Sequence, residues 1–376
     1  MDFNFSDEER DVIQTARHFA ESRVKPRARE IDEQNRFPSD LVKEMGRLGF
    51  FGLHVPETYG GTALGYKAYV LAIEQLCSVS LTVGAIIAIN ALAQECLIRF
   101  GTEEQRQRYL PPLASGESLS TFAFTEGQTG SDPRAITTTA ALIDDAYVIT
   151  GEKTFASLAP SASVAVIFAR DDSGKVSAFL VDPNSSGFII EKEIEMMGVR
   201  GEDVCPVILD QVRVPRANLL GQSGQGYNVL LTAINVGQLG IAAEAVGIAE
   251  GALRLSVDYA RNRLVRDKPM TELPTIQSLL GEMYARTEAA RWLTYRIADL
   301  RDNGNATAKD SATAKLFASQ VANDVTDMAM QIHGSYGYSK ELEIERLYRD
   351  AKVTQIYEVV SEVQRIIIGA SVARDA

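Results

Sequence analysis

A polar, glycine-rich stretch in the middle of the chain has the composition of a ligand-binding loop. It runs from Phe124 to Asp132 as FTEGQTGSD and directly follows an apolar run. Its glycines leave backbone N–H groups accessible, and its hydroxyl and amide side chains add donors and acceptors for a polar ligand. The same composition suits an ordinary surface loop, so the residues alone leave both interpretations open.

A second candidate is a single carboxylate, Glu358, within the apolar segment 356–360. An acid beside apolar side chains has a raised pKa and can act as a general base near neutral pH. If this segment is helical, however, Glu358 shares a face with Ser361, Glu362 and Arg365, which is typical of a solvated surface. A catalytic and a structural role are both compatible with the pattern.

Other catalytic motifs are scarce in this chain of 376 residues. It has three histidines and three cysteines, too few and too scattered for a zinc motif or a disulfide scaffold. The glycine-rich segment 221–226 precedes a predicted helix and could present amides to an anion, or be a plain loop entering that helix. The nucleotide-binding GxGxxG and GxxxxGK[ST] patterns and the hydrolase GxSxG pattern do not occur.

Composition and charge narrow the function classes further. The formal net charge of −12 disfavours binding to nucleic acid, because phosphate contacts need clustered lysine and arginine. No uninterrupted apolar run reaches about 18 residues, so we expect no membrane span. The acidic start of the chain resembles neither a signal peptide nor a transit peptide, which predicts a cytoplasmic protein.

Residues 1–116 are predicted to form helices. Ser6 and Glu9 have the spacing of a capping box before an amphipathic helix over 8–22, which Pro26 should interrupt. Helices are also predicted over 41–48, 66–78 and 80–100, with a short one ending at Tyr109. Residues 117–224 change to short β-branched runs between turn residues, which predicts an antiparallel barrel or sandwich. The predicted strands cover 121–124, 146–149, 164–168, 178–181, 188–190 and 207–209.

Residues 225–376 return to helical periodicity and predict a four-helix bundle. The four helices are expected over 226–263, 274–303, 308–332 and 353–372. The predicted fold class is therefore mostly α with a central β domain. Strands and helices do not alternate along the chain, which argues against a Rossmann fold.

Within this architecture the sequence resembles the acyl-CoA dehydrogenase family, most closely its short-chain members. The resemblance covers nearly the whole chain, because matching motifs occur in order. These are 53–57 (LHVPE), 125–132 (TEGQTGSD), 151–155 (GEKTF), 259–263 (YARNR), 331–334 (QIHG), 348–351 (YRDA) and 356–365 (IYEVVSEVQR).

The resemblance implies an N-terminal helical domain, a middle β-barrel domain and a C-terminal four-helix bundle. It also implies FAD as cofactor, an acyl-CoA substrate, a homotetramer or homodimer, and an electron-transferring flavoprotein as acceptor. Members of the family oxidise the α–β bond of the thioester to a trans-enoyl-CoA. A carboxylate removes the α-proton, and the β-hydrogen leaves as hydride to the flavin.

Residue by residue, the resemblance makes Glu358 the catalytic base. The alternative base position of some members falls on Gly237, which cannot serve. The residues placed at the cofactor are Phe122, Phe124, Thr125, Gly130, Ser131, Phe155, Ser157, Arg263, Arg266, Gln331, Ser335 and Val360. Those placed at the substrate are Ser131, Asn235, Gln238 and Val359.

Several positions depart from the family pattern. Val359 and Val360 replace the usual glycine and threonine after the base, and Arg266-Asp267 replaces Phe-Gly on the adenine side of the cofactor. Gly127, Pro274 and Ser335 replace proline, glutamine and glycine, while Asn235 and Gln238 replace an aspartate and an arginine. Two alternatives therefore stay open. One is a different substrate, either a carrier-protein thioester or an unusual branched or cyclic acyl-CoA. The other is a partly degenerate subunit of a mixed assembly.

Overall fold

The N-terminal part of the chain is helical, as predicted. The computed structural model describes residues 4–130, 132 and 135–375, the last by its backbone alone. The helices are α1 (Asp7–Phe19), α2 (Lys25–Gln34), α3 (Ser39–Arg47), α4 (Gly65–Cys77), α5 (Leu81–Phe100) and α6 (Glu103–Ala114). The predicted capping box of α1 is confirmed: the Glu9 N–H donates to Ser6 Oγ at 3.1 Å, and the Ser6 N–H donates to Glu9 Oε2 at 2.9 Å.

Two helix limits were predicted wrongly. Pro26 does not interrupt the helical backbone, because a π-helical turn over Ala20–Val24 joins α1 to α2 and places Pro26 in the first turn of α2. A proline is tolerated there since its missing N–H is not needed. Helix α6 also continues beyond Tyr109, through Pro111 and Pro112, to Ala114.

The middle domain contains one eight-stranded sheet. Its strands are β1 (Leu119–Ala123), β2 (Thr139–Ile143), β3 (Ala146–Ala156), β4 (Ala162–Asp171), β5 (Val176–Val181), β6 (Phe188–Ile190), β7 (Cys205–Pro215) and β8 (Leu219–Leu220). Along the sheet the order is β6-β7-β3-β2-β4-β5-β8, and β1 pairs with β4. The pairings of β4 with β1 and with β2 are parallel, whereas the others are antiparallel, so the expected antiparallel pattern holds only in part.

Alternation along β4 divides the domain between two cores, because successive strand residues face opposite sides of a sheet. Val164, Val166 and Phe168 pack into the main core shared with the helices. Ala165 and Ile167 pack into a smaller core within the sheet domain. The sheet is thus fixed to the helices by one face, which orients the loops at its edge.

The C-terminal part contains α7 (Gly226–Asn262), α8 (Pro274–Asp302), α9 (Ala308–His333), α10 (Ile344–Val353) and α11 (Ser361–Asp375). A short hairpin, β9 (Leu264–Val265) with β10 (Lys268–Pro269), follows α7. The helix predicted over 353–372 is confirmed only from Ser361, where α11 begins; its predicted first part is wrong, because α10 ends at Val353 and a turn covers 354–360. The apolar periodicity continues through the segment 354–360, which is why a helix was predicted there. Hydrogen bonds from α9 to this segment keep it in a non-helical conformation.

Among all the helices that the structure describes, two are long and apolar enough to cross a membrane, judged by length and composition alone. They are α5 and α7, and 89% and 83% of their most apolar windows are buried inside the protein. Core helices of the same length pass this test equally well, so it does not distinguish the two cases. The absence of a membrane span stays a prediction.

Candidate active site

The turn between α10 and α11 presents Glu358 in an unusual backbone conformation. Glu358 has a φ of 57°, in the left-handed region that side-chain-bearing residues rarely adopt. The buried ammonium of Lys315 on α9 donates to the backbone carbonyls of Tyr357, at 2.8 Å, and of Val359. Glu358 therefore does not share a helical face with Glu362 and Arg365, and the solvated-face interpretation is wrong.

The Glu358 side chain points inward against α7. Its Oε2 atom is buried and has no hydrogen-bond partner among the described residues. The carboxylate lies on Gly237, where a methyl group would overlap it, so the absence of a side chain at 237 makes room for the acid. Burial raises the pKa of Glu358 well above its usual value, while Lys315 lowers it and Glu244 raises it further.

Other unpartnered polar atoms lie at or near the same stretch of α7. Within the described chain, Gln238 Oε1 and the Tyr69 hydroxyl are likewise buried without a hydrogen bond. Tyr69 of α4 contacts α7 at Gly240, one turn after Gly237. Of the other predicted substrate residues, Asn235 and Val359 are both partly buried. The arrangement places a carboxylate, an amide and a phenol around one stretch of α7.

The polar loop after β1 is organised by a buried ion pair. Lys153 Nζ of β3 lies 2.8 Å from Glu126 Oε1, and both side chains are almost fully buried. Glu126 also accepts hydrogen bonds from the backbone and hydroxyl of Thr137 and Thr138, at 2.6 to 3.0 Å. Glu126 therefore shapes the loop and leaves its neighbour Thr125 beside β3, where the Thr154 N–H donates to the Thr125 carbonyl at 2.9 Å.

Side chains predicted to contact a flavin gather around this junction. Phe122 and Phe124 pack edge to face with ring centroids 6.2 Å apart. Phe155 has a φ of 53° and is 55% exposed, although it lies at the end of a strand. Exposed aromatic surface beside partly buried hydroxyls of Thr125 and Ser157 suits a flat, polar-edged ring system.

Ser157 has a partner that the sequence did not suggest. Its hydroxyl bonds to the buried carboxyl group of Glu202, and burial raises the pKa of Glu202 to about 8. Gly130 is exposed at the end of the loop, and Val360 is partly buried before α11. Ser131 was predicted at both cofactor and substrate, and it lies outside the described residues.

The predicted adenine-side residues form a separate group. Arg263 follows the last residue of α7, and its guanidinium carbon lies 5.7 Å from the centroid of the Tyr336 ring. This contact places Arg263 near Ser335 and near the last turn of α9, which contains Gln331. Arg263, Arg266, Gln331 and Ser335 are all exposed. Arg263 is 26 residues after Gly237, or roughly 39 Å along a helix. On one protomer, Arg263 is therefore far from the acid seated on Gly237.

The glycine-rich segment 221–226 is a loop entering α7, as the plain interpretation had it. The Gly224 N–H donates to Ser177 Oγ at 2.7 Å, and Ser223 Oγ donates to Asp171 Oδ2 at 2.5 Å. These two hydrogen bonds occupy the Gly224 N–H and the Ser223 hydroxyl, which are donors that a bound anion would need.

Four residues of the site were missed by sequence reasoning: Tyr69, Glu202, Glu244 and Lys315. The only signal for the last two was a charge within an apolar helical stretch, as in 241–249 (IAAEAVGIA) around Glu244.

Three family models match the chain in order. They describe the acyl-CoA dehydrogenase N-terminal domain (6–117), middle domain (121–212) and C-terminal domain (224–373). An acyl-CoA dehydrogenase of Bacillus subtilis is 41% identical over 94% of both chains. The human mitochondrial short-chain specific acyl-CoA dehydrogenase is 39% identical over 96% of this chain and 89% of its own.

Solved structures agree with these matches. Butyryl-CoA dehydrogenase from Megasphaera elsdenii has a TM-score of 0.97 and 34% identity, with 99% of this chain and 100% of that chain covered. A chain from work on the electron transferring flavoprotein of Acidaminococcus fermentans has a TM-score of 0.97 and 36% identity over 100% of both chains. An acyl-CoA dehydrogenase from Bacillus anthracis, complexed with FAD, has a TM-score of 0.93 and 34% identity over 99% of this chain and 67% of that chain.

The fold, the buried carboxylate and the loop geometry define an oxidoreductase architecture of the acyl-CoA dehydrogenase type. With three domain matches and relatives near 40% identity along its length, the chain belongs to the acyl-CoA dehydrogenase family.

Proposed function

We propose that the protein catalyses the FAD-dependent α,β-dehydrogenation of an acyl-CoA thioester, with Glu358 as the base. The observation that carries this proposal is the Glu358 carboxylate seated on Gly237, with its Oε2 atom buried and unpartnered among the described residues. An acid held away from water by the fold, with its pKa raised, is suited to removing a proton near neutral pH.

Ten of the predicted residues would hold FAD, drawn from two protomers. Phe122, Phe124, Thr125, Phe155, Ser157 and Val360 would face the flavin from one protomer. Arg263, Arg266, Gln331 and Ser335 would reach it from a neighbour, because Arg263 lies roughly 39 Å along α7 from the acid at Gly237. Gly130 and Ser131 would complete the loop beside the flavin and the thioester. Bound FAD would take up the β-hydrogen of the substrate together with its electron pair.

The residues of the chain would act on the α-carbon. Glu358 takes the α-proton, and the C–H electron pair becomes part of the new double bond. The Glu358 backbone N–H would donate to the thioester carbonyl and stabilise the negative charge that develops there. Gln238, Asn235 and Val359 would line the acyl group. Apolar neighbours exclude water from the reacting atoms.

The proposed function also implies an oligomeric state, an electron acceptor and a cellular location for the protein. A neighbour that supplies Arg263 makes the protein a homo-oligomer, either a dimer or a tetramer. An electron-transferring flavoprotein is the proposed acceptor of the electrons, and the cytoplasm is the proposed location. The similarity to a chain from work on such a flavoprotein supports the choice of acceptor.

The proposal is tested by the absorbance spectrum of the purified protein and by Glu358→Gln. The parent should carry bound flavin that an acyl-CoA bleaches. Glu358→Gln should keep the flavin and lower kcat by roughly 10²- to 10⁴-fold, the range that a positioned acid or base supplies.

Glu362→Gln is the matched control, because Glu362 is exposed and pairs only loosely with Arg365, at 3.7 Å. It should leave kcat unchanged. A protein that is colourless and takes up no added FAD, or a Glu358→Gln variant with full activity, would contradict the proposal.

The two alternatives are separated by simple measurements. Val359 beside the base favours an unusual acyl shape, and a panel of acyl-CoA and acyl-carrier thioesters tests this. Preference for plain butyryl-CoA would count against it. A partly degenerate subunit would lack full FAD occupancy when purified as a homo-oligomer.

A further inference from the structure

A second carboxyl group is buried beside the loop that carries the proposed base. Glu244 lies in the middle of α7, is almost fully buried, and accepts a hydrogen bond from the Tyr357 hydroxyl. Tyr357 immediately precedes Glu358 in the chain. Glu244 therefore holds the residue next to the base, and it does so from the same helix that supports the base at Gly237.

One buried cation faces both acids. Lys315 is fully buried and binds the carbonyl groups on either side of Glu358. Its ammonium interacts with the charges of Glu358 and Glu244 together. If both acids ionise, the cluster retains one uncompensated negative charge out of contact with water, which is energetically costly.

We propose that Glu244 is a positioning residue that sets the proton affinity of Glu358, by competing with it for the charge of Lys315 while holding Tyr357. The inference rests on the proposed function, in which Glu358 is the base. Because one lysine can balance only one anion, the cluster is neutral when one of the two acids keeps a proton. A Glu358 anion is then favoured by a protonated Glu244.

The titration of the two acids is consistent with this coupling. Burial raises the pKa of Glu244 to about 7, although the Tyr357 hydroxyl and Lys315 lower it. An ionised Glu244 raises the pKa of Glu358. Removing the charge at 244 while keeping a hydrogen-bond acceptor should therefore make Glu358 a stronger acid.

The other groups that face the cluster are Tyr69, Cys77 and Glu202. Tyr69 and Cys77 of α4 are buried, and burial raises the pKa of each well above its usual value, so they stay neutral near pH 7. Burial raises the pKa of Glu202, in the middle domain, to about 8, so Glu202 ionises in the same range as Glu358. The charges that act on Glu358 itself are those of Glu244 and of Lys315, whose own pKa burial lowers to about 8.

The test is the pH dependence of kcat for Glu244→Gln in the flavin-loaded protein. We expect the acid limb of the profile to move to lower pH by about one unit, the size at which two titrating groups count as coupled. Glu250→Gln is the matched control on the same helix, because Glu250 pairs with Arg291 at 2.7 Å instead, and it should leave the limb unmoved. A purely structural role for Glu244 would change kcat without shifting the limb.

Tyr357→Phe provides a second variant if the first does not fold. It removes the hydroxyl that lowers the pKa of Glu244, so Glu244 keeps its proton to higher pH and the limb again moves down. An acid limb equal to that of the parent in the folded variants overturns the inference.

A second measurement tests the titration of Glu244 that the inference requires, and it needs no turnover, so it separates failure of the inference from failure of the proposed function. A carboxyl group whose pKa is raised by folding stabilises the fold fully below its ordinary pKa near 4.5, and this stability is lost as pH rises through about 7. The free energy of unfolding of Glu244→Gln should therefore fall less between these pH values than that of the parent. An equal fall would overturn the inference.

Discussion

At the scale of single residues, the site depends on a glycine as much as on an acid. Glu358 points into the protein because its backbone adopts a φ of 57° and because α7 offers it an open position at Gly237. The sequence resemblance described Gly237 only as a position that cannot act as a base. The structure gives it a positive role, since any side chain there would displace the carboxylate.

We predict that Gly237→Ala nearly abolishes turnover while the protein still folds. The added methyl group overlaps the Glu358 carboxylate, and such overpacking costs about 1–3 kcal/mol of stability. Gly281→Ala on α8 is the control, because a methyl group there meets no atom within 4 Å, and it should be neutral or slightly stabilising. Steady-state kinetics and thermal unfolding check both variants, and normal turnover by Gly237→Ala would contradict the geometry.

At the scale of elements, the loop proposed to face the flavin is held by a buried ion pair. Glu126 of the loop and Lys153 of β3 form a buried pair, and two threonines before β2 donate to the same carboxylate. These bonds lower the pKa of Glu126 to about 2 against the effect of burial, which raises it. Part of the family motif around Thr125 therefore stabilises the loop itself, whichever of its residues contact a ligand.

We predict that Glu126→Gln destabilises the protein by about 3–5 kcal/mol at pH 7, because it leaves Lys153 buried without its partner. The pKa of Glu126 is lowered by folding, so its stabilisation is present above about 4.5 and lost as pH falls through about 2. The difference in the free energy of unfolding between parent and variant should therefore become smaller as pH falls from about 4.5 to about 2. Denaturant unfolding measures it, with the exposed Glu152→Gln as control, and a constant difference across the window would disprove the assignment.

At the scale of the whole molecule, the residues proposed to face the cofactor divide into two groups on different parts of one protomer. Large apolar side chains on the C-terminal part are also exposed, including Leu264 (58%), Tyr338 (88%) and Ile366 (68%). Exposed apolar surface of this kind favours association between subunits. In a symmetric oligomer the second group of one subunit can face the first group of another.

We predict complementation between two inactive variants. Arg263→Ala should weaken FAD retention and Glu358→Gln should abolish turnover, each as a homo-oligomer. Mixed oligomers should regain part of the activity, because a subunit with an intact base meets a neighbour with an intact arginine. Co-expression with two affinity tags and assay of the doubly purified species tests this. Mixed oligomers that bind FAD but stay inactive would mean that Arg263 and Glu358 of the same protomer serve one site, and would contradict the prediction.

The sequence by itself determined the features that local physics controls. The Ser6–Glu9 capping box, the long apolar helices α5 and α7 and the alternation along β4 depend on near neighbours in the chain, so periodicity and spacing predicted them. Resemblance in ordered motifs indicated the family and singled out Glu358. Tertiary structure alone decided how Glu358 is presented. Lys315, more than forty residues away, holds the carbonyls around it, Gly237 makes room for it and Glu244 binds its neighbour. These contacts join distant parts of the chain, and no local pattern encodes them, which is why a helix was predicted where the structure has a strained turn.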